Sequence, residues 1–291
     1  MNVINSSTKL YAVIGHPIKH SLSPHIHNFS FKYAGVNAVY LCFDINPDRL
    51  GDAINGFKAI GLSGFNVTIP YKESIIKYLD EVDVNAGLIG AVNTVINKDG
   101  HFKGYNTDGI GFINTLKNHH IEINEVIVLG AGGASRAICT ALILNGAKRI
   151  NIINRTYENA VKLASHIQSI DSKCKVNADT LENISKYEAE LLVNTTSVGM
   201  WPHVDNSPVD DIPKGVKVVY DIVYNPYETK LIKMAKEKGC QIVYGIEMLI
   251  GQAVESFKIW TGVDIPEDVI ITYLKKEGIL FNMSNNIHNV T

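Results

Sequence analysis

The stretch EVIVLGAGGASRAICTALILNGAKRINIINRT, residues 125–156, leaves this chain few choices of fold. An apolar run too short for a buried helix stops at Gly130. A helical pattern then carries the chain from about Gly133 into the 140s, and a second short apolar run, RINII, follows. Strand, glycine turn, helix and strand at this spacing form a βαβ unit, and two parallel strands need such a crossover. Further strand-like runs follow at AELLVNTT (189–196), VKVVYDIVY (216–224) and GCQIVYG (239–245), with the helical ETKLIKMAKEKG between the last two. Strands separated by helices imply a doubly wound parallel sheet with right-handed crossovers.

The glycines have separate tasks. Gly130 ends the strand tightly, Gly132 lets the backbone approach a pyrophosphate, and the helix opening near Gly133 offers its N-terminus to that charge. Ser135 stands where a third glycine or alanine is usual and is small enough for close helix–strand packing. A dinucleotide is therefore the expected ligand, with a plain glycine turn as the structural alternative. NAD binding would place an acid about twenty residues on, at the ribose 2′-hydroxyl. The chain has Asn154-Arg155-Thr156 there, and an arginine fork beside a hydroxyl suits a 2′-phosphate. NADP(H) is the expected cofactor, against a solvated surface arginine.

With 291 residues the chain is long enough for two domains. Its 46% apolar and 19% charged content places it with compact proteins. A formal charge of −2 supplies no basic excess for nucleic acid or membrane headgroups. No apolar run reaches membrane-spanning length, and the N-terminus lacks the pattern of a secretory signal, so a cytoplasmic location follows by default. Cys42, Cys139, Cys174 and Cys240 form no C-x-x-C pair and read as buried, reduced, inert thiols. The ten histidines show no metal-ligand spacing.

The first third also alternates. Leu10–Ile14, AVYLCFDI (38–45) and GFNVTIP (64–70) read as strands, and PDRLGDAINGFKAIG and YKESIIKYLDEV as helices. Residues 90–108 read as a hairpin turning at Asp99-Gly100. In HSLSPHIHN, Ser23 reads as a helix N-cap with Pro24 behind it and Gly35 as the C-terminal stop. Ser21 and Ser23 then lie where free N–H groups and a helix dipole could hold a carboxylate. Asn66 and Thr68 share one face of their strand, opposite Phe65, Val67 and Ile69. Lys72 opposes a helix dipole and so calls for a partner or a task. Asn93, in the first hairpin strand, and Asp108, able to cap the next helix, complete the polar set. Each also has a plain use as cap, turn support or solvated charge.

Together the segments GHPIKHSLSPHIHN, GFNVTIPYK, GAVNTV, GYNTDG, GAGGASRA, NRT, NTTSVGM, DIVYNP and GIEMLIGQAVESF resemble the shikimate dehydrogenase family from residue 15 to about 257. The resemblance implies reversible, NADPH-dependent reduction of 3-dehydroshikimate to shikimate. It implies an α/β fold in two domains. An N-terminal α/β substrate domain (1–106) precedes a Rossmann-like NADP domain (107–244). C-terminal helices (245–291, a polar tail from about 281) return to the first domain. It implies that Ser21 and Ser23, with Tyr224, hold the substrate carboxylate, that Asn66, Thr68, Asn93, Asp108 and Gln252 meet the ring hydroxyls, and that Lys72 and Asp108 form the catalytic pair. The cofactor would lie against Gly130, Ala131, Gly132, Gly133, Ala134, Thr196 and Val223, with Asn154, Arg155 and Thr156 at the 2′-phosphate and Gly245 and Met248 lining the nicotinamide end. A quinate/shikimate dehydrogenase using NAD or both cofactors, and a non-catalytic NADP-sensing protein, remain as alternatives. A homodimer is compatible with the sequence and not fixed by it.

Overall fold

The computed structural model describes residues 4–19 and 21–280. Its contacts divide the chain into two compact units, one made of Met1–Thr107 with Gln252–Lys276, the other of Asp108–Gly251 with the segment from Glu277. The expected polar tail from about 281 lies outside the described residues.

The first unit opens with β1 (Lys9–Gly15), α1 (Ser23–Tyr33), β2 (Ala38–Asp44), α2 (Leu50–Ala59) and β3 (Gly64–Val67). It continues through β4 (Glu81–Val82), α3 (Val84–Ile89), β5 (Thr94–Lys98) and β6 (His101–Tyr105). The sheet is mixed, ordered β2-β1-β3-β5-β6-β4. β1 runs parallel to β2 and β3, and β5 is antiparallel to both β3 and β6. Apolar residues of β1, β3, β5 and β6 form one core with Leu50, Ile54 and Phe57 of α2.

Five sequence readings change here. The segment 71–82 is not one helix but a 3-10 turn, Ser74–Tyr78, followed by β4. Tertiary pairing overrides helix propensity, because Asp80 N–H donates to Phe102 O and Asp80 Oδ2 accepts from Phe102 N–H. β3 stops at Val67, since Tyr71 N–H donates to Thr68 O and closes a turn around Pro70. Ser23 is the first residue of α1 rather than its cap. Leu22 holds the cap position without a side-chain bond, and Ser21 Oγ accepts from Ser23 N–H at 3.2 Å. Asn93 lies just before β5, and Asp108 is itself the first residue of the next helix.

The second unit contains α4 (Asp108–Asn118), β7 (Glu125–Leu129), α5 (Gly133–Leu144), β8 (Arg149–Ile153), α6 (Tyr157–Ile170) and β9 (Lys175–Asp179). β10 (Leu191–Asn194), β11 (Val218–Asp221), α7 (Lys230–Glu237) and β12 (Gln241–Tyr244) follow. The sequence reading makes no assignment over α6 and β9. All six strands are parallel, in the order β12-β11-β10-β7-β8-β9. This is the doubly wound dinucleotide-binding order, and it reverses between β7 and β10.

The last helices are α8 (Gly245–Thr261) and α9 (Glu267–Lys276). The division between the units falls inside α8, before Gln252. Beyond that point Phe257 packs on Phe31 of α1, and Trp260 packs on Tyr11 and donates its indole N–H to Val95 O. Among the described residues, no helix is long and apolar enough to cross a membrane. Cys139 and Cys174 are buried, whereas Cys42 and Cys240 are half-buried, because each of these two is only partly covered by its neighbours.

Candidate active site

The first unit assembles a polar cluster inside an otherwise apolar fold. Asn66, on β3, is buried, and both ends of its amide are engaged. Its oxygen accepts from Tyr40 OH at 2.7 Å. Its nitrogen lies 3.1 Å from Asn93 O, from Thr94 Oγ1 and from Ser256 Oγ. Asn93 is held as firmly, since its Oδ1 accepts from the backbone N–H of Thr107 at 2.9 Å. Its Nδ2 therefore points the other way and donates to Thr107 Oγ1 at 2.9 Å and to Gln252 Oε1 at 3.4 Å. Three expected site residues, Asn66, Asn93 and Gln252, thus meet in one network.

Buried amides and hydroxyls keep defined orientations because an unmet partner costs about 1–3 kcal/mol. The cluster also holds Tyr40, Thr94, Thr107 and Ser256, which the sequence reading misses. A signal for two of them exists: Gln252 and Ser256 stand one helical turn apart, and Thr94 follows Asn93 directly.

The other expected residues of this unit line its loops. Ser21 is half-buried and Ser23 buried at the start of α1, which has no acidic residue in its first turn. One turn on, His27 is fully buried and stacks on Tyr40 at 4.5 Å. Burial pushes its pKa down to about 3, so the ring is neutral and adds no charge beneath the serines. Thr68 is half-buried and anchored by donation of its N–H to Ile14 O. Lys72, half-buried in the turn after Tyr71, accepts at its carbonyl from Val92 N–H at 2.7 Å, which fixes its backbone beside the β5 approach. Asp108 is buried at the head of α4 and follows Thr107, the residue bonded to Asn93.

In the second unit the glycine loop links β7 to α5. Gly130 has φ +107°, and a Cβ there would stand 2.6 Å from Thr195 Oγ1. At Gly132 a Cβ would meet nothing within 4 Å, so the backbone is open to an approaching group. Gly132 caps α5 without a side-chain bond, and the first turn contains no acid. The N–H groups around Gly132, Gly133 and Ala134 therefore form an anion cradle, which a dinucleotide pyrophosphate fits. Ala131 packs against the core below. After β8, Asn154 Nδ2 donates to Thr156 O at 2.8 Å, shaping the turn that presents the exposed Arg155. Thr156 caps α6 without a side-chain bond.

A second buried network lies at the ends of β10 and β11. Asn194 Oδ1 accepts from the N–H and hydroxyl of Thr196, and Asn194 Nδ2 donates to Asp221 Oδ1 at 2.9 Å. Asp221 also accepts from Val223 N–H and from Thr229 OH, while Thr229 caps α7. Two strands that end in a buried Asn and a buried Asp, LLVN and VVYD, are the sequence signal for it. Thr196 and Val223 are thereby fixed off the strand ends where open α/β sheets bind ligands, with half-buried Tyr224 next in the chain. Gly245 opens α8 against Ile222 O, and Met248 is buried one turn on.

Residues 13–95 match the model of the shikimate dehydrogenase substrate binding domain. Residues 114–222 match that of shikimate / quinate 5-dehydrogenase, and 245–272 that of the shikimate 5′-dehydrogenase C-terminal domain. A shikimate dehydrogenase (NADP(+)) of Caldanaerobacter subterraneus is 46% identical over 278 residues, 94% of this chain and 99% of that relative. A crystal structure of a shikimate dehydrogenase in complex with NADP+ superposes with a TM-score of 0.87 at 40% identity, covering 95% of this chain and 98% of that one. The shikimate 5-dehydrogenase of Listeria monocytogenes, in complex with shikimate and NAD, gives 0.84 at 38%, covering 93% and 98%. With this identity along nearly the whole of both chains, the chain belongs to the shikimate dehydrogenase family.

Proposed function

We propose that this protein catalyses the reversible, NADPH-dependent reduction of 3-dehydroshikimate to shikimate. One observation carries the reading: the Asn93–Gln252 contact orients two buried amides on the lysine-bearing unit, a set suited to a small polyhydroxylated ring.

In this reading Ser21, Ser23 and Tyr224 bind the substrate carboxylate, while Thr68, Asn93, Asp108 and Gln252 bind ring hydroxyls. Asn66 belongs to the same ring-binding set, and its amide also holds Thr94 and Asn93. Gly130, Ala131, Gly132, Gly133 and Ala134 receive the pyrophosphate, and Asn154, Arg155 and Thr156 the 2′-phosphate. Thr196, Val223, Gly245 and Met248 line the nicotinamide end. When bound, NADPH supplies the hydride. Lys72 holds at Nζ the proton that the substrate oxygen receives, and its positive charge stabilises the alkoxide as it develops. Asp108 orients that ammonium and accepts from the neighbouring hydroxyl. A homodimer is compatible with this reading, and every assigned residue belongs to one chain.

Initial rates with shikimate and quinate, each with NADP+ and NAD+, test it. Shikimate with NADP+ should give the highest kcat/KM. A preference for quinate with NAD+, or no turnover of any pair, would overturn the assignment.

A further inference from the structure

We propose that Thr94 is a positioning residue for substrate recognition. Its hydroxyl couples Asn93 to α8 through Ser256 and so fixes the face that Gln252 turns toward the substrate ring. The inference rests on the function proposed above.

Thr94 is fully buried. Its Oγ1 lies 2.9 Å from Asn93 Oδ1, 2.7 Å from Ser256 Oγ and 3.1 Å from Asn66 Nδ2. Hydrogen counting sets the direction of these bonds. The Thr107 N–H can only donate, so the Asn93 atom facing it is the oxygen. Thr94 has a single hydroxyl proton and Asn93 Oδ1 can only accept, so Thr94 donates to it. Thr94 Oγ1 then accepts from Asn66 Nδ2 and from the Ser256 hydroxyl, since its own proton is already used on Asn93.

Ser256 Oγ also lies 2.9 Å from Gln252 O, one turn earlier in its own helix, so its single proton is shared between that carbonyl and Thr94 Oγ1. Thr94 thus ties the strand residue beside it to the helical turn that carries Gln252. Because Asn93 presents Nδ2, Gln252 must answer with Oε1, and the donor end of the Gln252 amide is turned away from Asn93. A flipped Gln252 would set two N–H donors against each other. Thr94 meets neither substrate nor cofactor in this scheme. It acts by keeping Asn93 and Gln252 in register.

Two variants of similar shape test this. Thr94→Val replaces the hydroxyl with a methyl and keeps the branch, whereas Thr94→Ser keeps the hydroxyl. Loss of a buried bond network of this size should raise the KM for shikimate about tenfold in Thr94→Val. The change in kcat should be smaller and the KM for NADP+ unaltered, and Thr94→Ser should stay near the parent. In a Gln252→Ala background, Thr94→Val should cost no further kcat/KM, since its effect passes through that amide. An unchanged shikimate KM in Thr94→Val, an equal loss in Thr94→Ser, or full additivity with Gln252→Ala would each overturn the proposal. Should Thr94→Val fail to fold, Ser256→Ala breaks the same link from the helix side and must show the same KM selectivity and the same non-additivity. Absence of shikimate turnover in the parent protein would instead count against the proposed function.

Discussion

Ser135 Oγ donates to the carbonyl of Gly130 at 2.8 Å, closing the glycine loop from below with a side chain that is fully buried. A third glycine at this position would allow close packing but could not make that bond. The hydroxyl ties the end of β7 to the first turn of α5. Ser135→Ala should lower stability by about 1 kcal/mol, the worth of one buried hydrogen bond, and raise the KM for NADPH several-fold. Urea unfolding and initial rates measure the two effects. Parent-like values in both would show that packing alone shapes the loop.

Arg155 is the cation of its turn, exposed after β8 with Asn154 bonded across to Thr156 O. No carboxylate stands among Asn154, Arg155 and Thr156 to bind a ribose 2′-hydroxyl. Arg155→Asp should therefore lower kcat/KM with NADP+ relative to NAD+ by roughly ten- to a hundredfold, the value of a charge-assisted bond. An unchanged ratio would place cofactor selection elsewhere on the chain.

Lys72 is the assigned proton carrier. Lys72→Ala should reduce kcat by about two to four orders of magnitude, the usual contribution of a general acid. The affinity for NADPH, read by fluorescence titration, should stay near that of the parent, because the cofactor cradle is built from the β7–α5 loop. Near-parental turnover would remove Lys72 from the chemistry.

What the sequence shows and what it hides follow from locality. The β7–α5–β8 unit and the Asp99-Gly100 hairpin are legible because short-range pattern and turn chemistry determine them. The helix expected over 71–82 fails for a distant reason: Asp80 pairs with Phe102, and no local rule foresees that. The same holds at the site. Asn66, Asn93 and Gln252 stand out as polar residues in apolar company, but the hydroxyls of Thr94 and Ser256 that join them lie 162 positions apart. Asp221 is legible only as a strand that ends in an acid. Val223 and Thr229 follow it closely in the chain, but Asn194 is brought beside it only by the parallel pairing of β10 with β11.

Asp221 also makes a prediction about pH. Burial raises its pKa from an ordinary 3.8 to about 6, even though Thr229, Val223 and Asn194 all donate to the carboxylate. The native state therefore holds this proton more tightly than the unfolded chain does. Its contribution to stability is full below about pH 4 and is lost as the pH rises through 6. At 1.36 kcal/mol per pH unit the loss amounts to about 3 kcal/mol. Asp80, Asp179 and Asp211 act in the opposite sense, because hydrogen bonds from Lys58, Asn183 and Lys238 hold them below the usual carboxylate range. Those groups are common to the parent and to Asp221→Asn, so they cancel in the difference between the two. Urea unfolding at pH 4, 5, 6 and 7 should show the stability of the parent relative to Asp221→Asn declining across the range by up to about 3 kcal/mol. A difference that is flat with pH, or that grows toward pH 7, would mean the three donors outweigh burial and Asp221 is ionised throughout.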